Sequence, residues 1–195
     1  MEQLKKFWEW LKKDSWGSWV VSLIIAFIIV KFIFFPLLSL ALATKLPLVV
    51  VESSSMHHSG SFFGNTLALQ KNFELWWEEK GSWYENREIK KQDAKNWAMK
   101  TGLEAGDIIV VSGWDKKLEM GDIIIFNADQ KHPVIHRIIG ITKINDQLVY
   151  STKGDNNPEQ LLSEREIKEK AIVGKAVFRI PKLGWIKLAF VRIFT

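Results

Sequence analysis

An apolar tract over residues 19–43, interrupted by a single charge at Lys31, constrains this chain more than any other feature. It runs for about 25 residues, and a bilayer core needs a helix of about 20. A helix apolar on every side belongs in lipid or at the centre of a large core, and 195 residues leave little room for the second. The predicted span is 17–37. Lys31 falls near its far end, where its ammonium can reach the headgroups at modest cost. Pro36 is expected to break or kink the helix at its exit. Ala41-Leu42-Ala43 has the small-x-small spacing of a leader cleavage site. The tract nevertheless exceeds the roughly 7–15 apolar residues of a leader, so an uncleaved anchor is expected.

The charge pattern supports the same reading. The net charge is +5, which raises the question of a nucleic-acid partner. Lys5, Lys6, Lys12 and Lys13, however, stand ahead of the tract. From residue 46 onward, 21 Lys and Arg face 19 Asp and Glu, and no basic run remains to follow a phosphate backbone. Nucleic acid is therefore not an expected partner, and the lipid bilayer is. By lysine count residues 1–16 are cytoplasmic and the long domain after the span lies outside the cell membrane, in a single-pass topology. Leu4, Phe7, Trp8 and Leu11 share one face of a predicted amphipathic helix suited to the inner membrane surface.

Residues 45–188 read as one extracytoplasmic domain, followed by a tail at 189–195. Short β-rich runs are predicted at 48–52, 107–111, 122–126, 134–141, 148–152 and 172–178. Between the first and second lies an insertion, 57–102, that reads as loop over 57–70. Phe73, Trp76 and Trp77 follow at helical spacing, and 92–100 also reads as helix. The insertion suits either a small helical subcore or an aromatic wall resting on the membrane or the substrate. With neither a repeat nor strand–helix alternation, the expected fold class is mainly β: a membrane-anchored antiparallel domain with a small helical insertion. Residues 181–195 are too short to span a membrane and are expected to cover the core or rest in the interface.

Three places carry chemistry. Glu52-Ser53-Ser54-Ser55-Met56 ends the first strand, but a serine hydroxyl is a poor nucleophile unless a base lies within hydrogen-bond reach. His136, within an apolar strand, offers an imidazole of fixed aim. Lys153-Gly154-Asp155-Asn156-Asn157 follows another strand, and its carboxylate suits the orientation of a histidine. Each has an ordinary reading alone: a polar loop, a satisfied histidine, a turn. Zero cysteines removes thiol nucleophiles, thiolate metal sites and disulfides together. His57, His58, His132 and His136 match no metal-ligand spacing, and no metal is expected.

Taken together, Ser53-x-Ser55-Met56, Gly106-Asp107, Gly121-Asp122, His136-Arg137-Ile138-Ile139-Gly140, Thr152-Lys153-Gly154-Asp155-Asn156-Asn157 and Pro181-Lys182-Leu183-Gly184-Trp185 resemble the type I signal peptidases. The resemblance covers 48–56 and 103–188. It points to the archaeal and endoplasmic-reticulum branch, because His136-Arg137 stands where the bacterial branch has Lys-Arg. It implies a membrane-bound serine endopeptidase, a hydrolase without cofactor, that cleaves signal peptides from secreted preproteins after small residues. Ser55 would be the nucleophile, His136 its general base and Asp155 the orienting carboxylate. The Ser55 N–H and the Ser53 hydroxyl would form the oxyanion hole. Implied partners are secretory preproteins and the translocation channel.

The sequence departs from the family pattern in three places. His57-His58-Ser59 replaces the usual Glu-Pro-Thr. The insertion separates segments that the family joins directly. Leu161 stands where many histidine-branch members carry a second aspartate, leaving Glu159 as the nearest carboxylate and the alternative to Asp155. Two other readings remain open: a catalytically silent β module that binds secretory or translocation partners, and a self-cleaving regulator protease. The anchor weighs against the latter.

Overall fold

The computed structural model describes residues 1–58, 66–115, 117–128, 132–185 and 188–189, with side chains from residue 72 in the first helix of the insertion. Of the loop expected over 57–70, residues 59–65 lie outside the described residues and 66–70 already belong to a helix; the tail beyond 189 also lies outside them. The chain divides into two units, Met1–Leu42 and Ala43–Thr195.

In the first unit, helix α1 (Glu2–Leu11) buries none of its residues. Helix α2 (Trp16–Ile29) starts at Ser15, whose Oγ accepts from the Ser18 N–H at 3.3 Å while Ser18 Oγ accepts from the Ser15 N–H at 3.4 Å. Such reciprocal caps satisfy two of the donors that every helix start leaves free. A π turn at Val30–Phe34 then leads into α3 (Phe35–Ala41). The whole stretch, Trp16–Ala41, has a mean hydropathy of 2.7 and is long and apolar enough to cross a membrane. It passes Pro36 without stopping, contrary to the expected break. Proline cannot donate to the carbonyl four residues back and crowds it. The π turn just before Pro36 relieves this by widening the ladder, the Phe35 N–H donating to Val30 O five residues earlier.

The second unit is a seven-stranded antiparallel sheet. Its strands are β1 (Leu48–Val50), β2 (Ile108–Ser112), β3 (Ile123–Phe126), β4 (Val134–Ile144), β5 (Gln147–Lys153), β6 (Ile167–Lys168) and β7 (Ile172–Ile180). Their order across the sheet is β1-β2-β7-β3-β4-β5-β6. The two Gly-Asp dipeptides start β2 and β3. In each, the aspartate accepts from a backbone N–H three residues earlier, Glu104 to Asp107 at 2.7 Å and Glu119 to Asp122 at 2.9 Å. Strand β3 is buried along its whole length, and alternate residues serve different cores. Ile123 and Ile125 pack with Val51, Met56, Leu103 and Ile109. Ile124 and Phe126 pack with Ile138, Tyr150 and Ile167. Near the C-terminus, Gly184 N–H donates to Gly106 O at 2.7 Å and the Trp185 ring lies over Gly106.

The insertion builds a third core of its own. Helix α4 (Thr66–Glu85) contributes Phe73, Trp76, Trp77 and Tyr84, which pack with Trp97 and with Ile139 of the sheet. Ring centroids lie 5.3 Å apart for Trp76–Tyr84 and 5.7 Å for Tyr84–Trp97. Tilted and edge-on pairs of this kind add to the area they bury. Helix expected over 92–100 shrinks to α5 (Lys91–Ala94). Beyond it the chain turns: Asn96 N–H and Trp97 N–H donate three residues back, to Asp93 O and Ala94 O, and Met99 has a φ of 48°. The Ala98 and Met99 carbonyls accept from the Arg137 guanidinium at 2.7 and 3.2 Å.

Candidate active site

The nucleophile candidate sits on a turn strapped down from both sides. Met56 is buried in the sheet core, and its carbonyl accepts from Leu103 N–H at 2.8 Å. Asn156 N–H donates to Ser55 O at 2.8 Å, and Asn156 Nδ2 donates to Ser54 O at 3.1 Å. Gly154 makes the close approach possible: a Cβ there would stand 2.8 Å from both Ser55 O and His136 Nε2. Only glycine lets these backbones meet.

Ser55 Oγ lies 3.0 Å from His136 Nε2. The imidazole's other nitrogen, Nδ1, meets the carboxylate of Glu164, whose second oxygen accepts from Leu161 N–H at 2.7 Å. Glu164 stands on a 3-10 turn, Leu162–Glu164, and is buried. Ser53 Oγ lies 3.1 Å from Ser55 Oγ and 3.5 Å from Ser55 N. The serine side of the cluster is open to solvent, while His136 and Glu164 are enclosed.

Neither carboxylate that the sequence put forward lies against His136. Asp155 faces Arg137, whose Nε and Nη2 donate to its two oxygens at 2.9 and 2.7 Å, and its Oδ2 meets His58 Nε2 at 2.9 Å. His136 and Arg137 are successive strand residues, so their side chains leave on opposite faces. Each meets its own carboxylate, Glu164 for the histidine and Asp155 for the arginine. Glu159 is mostly exposed and accepts from Trp83 Nε1 at 2.9 Å. Sequence reasoning missed Glu164. The one local signal was a glutamate three residues after Leu161, the spacing that lets a carboxylate reach back to a turn's first N–H.

The electrostatics separate the groups. Burial pushes the Asp155 carboxyl up, but the Arg137 guanidinium and the His58 N–H outweigh it and hold it well below the usual carboxylate range. Burial lowers His58, against the pull of Asp155, and keeps it neutral. Burial also pushes the Lys153 ammonium down to about 8, with Asp155 pulling the other way. Its Nζ donates to Gly154 O at 3.0 Å and lies 5.0 Å from the Tyr84 ring centre.

Lys153 yields a stability test. Its folded value is below the 10.5 of an unperturbed lysine, so between about pH 8 and 10.5 the unfolded chain holds a proton that the folded one has released. Stability contributed by this group therefore rises with pH across that window. Lys153→Met should remove the rise, which amounts to at most about 3 kcal/mol. Urea unfolding of the wild type and variant across that pH range checks it; parallel curves would refute it.

No protein-family model matches the chain. It is 31% identical over 100 residues to the signal peptidase complex catalytic subunit SEC11 of Lachancea thermotolerans, covering 47% of this chain and 60% of that protein. Against the SEC11 subunit of Scheffersomyces stipitis the figures are 28% over 98 residues, 47% and 59%. Signal peptidase I W of Bacillus subtilis is 42% identical over 62 residues, 31% of this chain and 33% of that protein. The chain thus spans less than two thirds of the relatives it matches. Through the matched stretch, on a curled antiparallel sheet preceded by one apolar helix, it is related to the type I signal peptidases.

Proposed function

We propose that this protein is a membrane-anchored serine endopeptidase that cleaves signal peptides from secreted preproteins after small residues. The observation that carries the reading is the unbroken chain Ser55 Oγ, His136 Nε2, His136 Nδ1, Glu164 carboxylate. With Glu164 accepting from Nδ1–H, Nε2 presents a lone pair to Ser55 and takes its proton as Oγ attacks the scissile carbonyl. The oxyanion forms beside the Ser55 N–H and the Ser53 hydroxyl. His136 then returns the proton to the leaving amine. Water, activated by the same nitrogen, hydrolyses the acyl-enzyme. An extended preprotein segment suits the outer edge of β1, the end strand of the sheet, which leads straight into the serine turn.

The test is chemical. The full chain in detergent should cut a preprotein at its signal junction. A substrate-like acylating inhibitor should leave its adduct on Ser55, read by peptide mass spectrometry. A chain that binds the preprotein but never cuts or acylates is the silent module instead.

The anchor is proposed to hold this site at the outer membrane surface, with residues 1–16 in the cytoplasm and the translocation channel as a neighbour. The lysines before the span support this orientation. Protease added to right-side-out vesicles should digest the domain after residue 45 and spare an N-terminal tag. The reverse pattern rejects the orientation.

A further inference from the structure

We propose that His58 is a positioning residue for the Ser55 nucleophile, acting through Asp155; the proposal rests on the peptidase reading above. His58 stands three residues beyond Ser55, yet its side chain turns away from solvent. Its ring is buried and stacks on Trp76 of the insertion at 4.2 Å between centroids, with 6° between the planes. Its Nε2 meets Asp155 Oδ2 at 2.9 Å. Gly102 leaves room for it: a Cβ there would stand 2.4 Å from Met56 O and 2.6 Å from the His58 ring. The peptide around Gly102 thus closes over both the serine turn and His58.

Arg137 already neutralises Asp155 through Nε and Nη2. Charge balance alone therefore does not call for a second donor. What His58 adds is direction. Arg137 approaches Asp155 from the sheet, and His58 approaches from the segment that carries Ser55. Trp76 Nε1 holds the Asp155 carbonyl at 3.0 Å as well. The side chain and backbone of Asp155 are thereby fixed from three elements, and the turn that it occupies touches the nucleophile directly. Asp155 N–H points to Met56 Sδ at 3.4 Å, Asn156 N–H donates to Ser55 O, and Gly154 abuts both Ser55 O and His136 Nε2. A rotation of this turn moves Ser55 relative to His136, and proton transfer between them is sensitive to such shifts.

The arrangement also explains the place of the aromatic insertion. Trp76 stacks on His58 and holds Asp155 O, and Trp97 lies 5.1 Å from the Arg137 guanidinium. The insertion backs the 154–156 turn. His58 is where it meets the segment bearing the nucleophile.

The experiment compares two substitutions in the full chain in detergent, on one preprotein. His58→Phe keeps a flat ring on Trp76 and loses the N–H donor. His58→Gln carries an amide N–H to about the place of Nε2. The expected result is a kcat lowered about 10–100-fold for Phe, with KM changed less than threefold, and a kcat within about threefold of wild type for Gln. A general loss of packing would not be restored by Gln. Wild-type kcat in the Phe variant, or equal damage in both, overturns the proposal while leaving the peptidase reading intact. A wild-type chain that neither cuts the preprotein nor is acylated at Ser55 overturns the reading itself. Should the Phe variant melt below the assay temperature, His58→Asn gives the same comparison, since its amide stops short of Asp155. It should lose kcat as Phe does, and a wild-type value there refutes the proposal.

Discussion

Replacing His136 with alanine should lower kcat for preprotein cleavage by about 10⁴–10⁶, the range seen when a serine hydrolase loses its base. The imidazole is the one basic group within hydrogen-bond reach of Ser55 Oγ among the described residues, at 3.0 Å. Without it the hydroxyl must lose its proton to water, and the leaving amine must take one from water. The fold should survive. His136 lies on β4, between Ile135 and Arg137, where the backbone ladder to β3 does not depend on the side chain. The small cavity left beside Glu164 opens toward the serine turn and can admit water. KM should change little, because the imidazole meets the reacting atoms and not the bulk of the substrate. Single-turnover cleavage over a range of preprotein concentrations, for wild type and variant, checks both. A variant with kcat within tenfold of wild type would refute the assignment of the base.

Much of this arrangement is legible in the amino-acid sequence. Six predicted strands correspond to observed ones, because short runs rich in β-branched residues announce themselves together with the turn residues before them. Gly106-Asp107 and Gly121-Asp122 do so for β2 and β3. The anchor is legible from length and hydropathy alone, although its helix runs on past Pro36, since the π turn that accommodates proline has no sequence signature. The serine–histidine pairing comes from the family resemblance and not from any one run of residues; in the structure Ser55 Oγ lies 3.0 Å from His136 Nε2. The carboxylate that the resemblance implies, Asp155, lies against Arg137. Which acid meets His136 depends on which strand face each side chain leaves from, and on a two-sided choice between Arg137 and His136. Sequence distance carries no information about that choice. Likewise, the chain after Ala94 leaves the helix for a turn, with Met99 at a φ of 48°, and its Ala98 and Met99 carbonyls meet Arg137 about forty residues on in sequence, a contact that no local periodicity records.

That two-sided choice makes the carboxylates separable by experiment. Glu164→Gln should lower kcat by about 10³–10⁴, as expected when a base loses the group that sets its tautomer. The Leu161 N–H needs an acceptor, so the glutamine oxygen will take the place of Glu164 Oε2, leaving its NH₂ against His136 Nδ1. That amide donates. It forces the proton of the neutral imidazole onto Nε2, where it faces Ser55 Oγ as a donor and not as a base. The turn keeps its shape and its hydrogen bond, so the melting temperature should stay close to wild type. Asp155→Asn predicts the reverse emphasis. It leaves the buried Arg137 guanidinium without its counter-charge, which costs about 3–5 kcal/mol when one partner of a buried pair is removed. It also exchanges one acceptor shared by Arg137 and His58 for a donor. The variant should melt at clearly lower temperature, and the fraction that stays folded should lose kcat about 10–100-fold, the scale expected for His58→Phe and well short of the loss in Glu164→Gln. Measuring kcat and thermal unfolding for both variants, with the same preprotein, separates the roles. A Glu164→Gln enzyme with near wild-type kcat, beside a folded Asp155→Asn enzyme without activity, would move the orienting role to Asp155 and leave Glu164 as the carboxylate that closes its own turn.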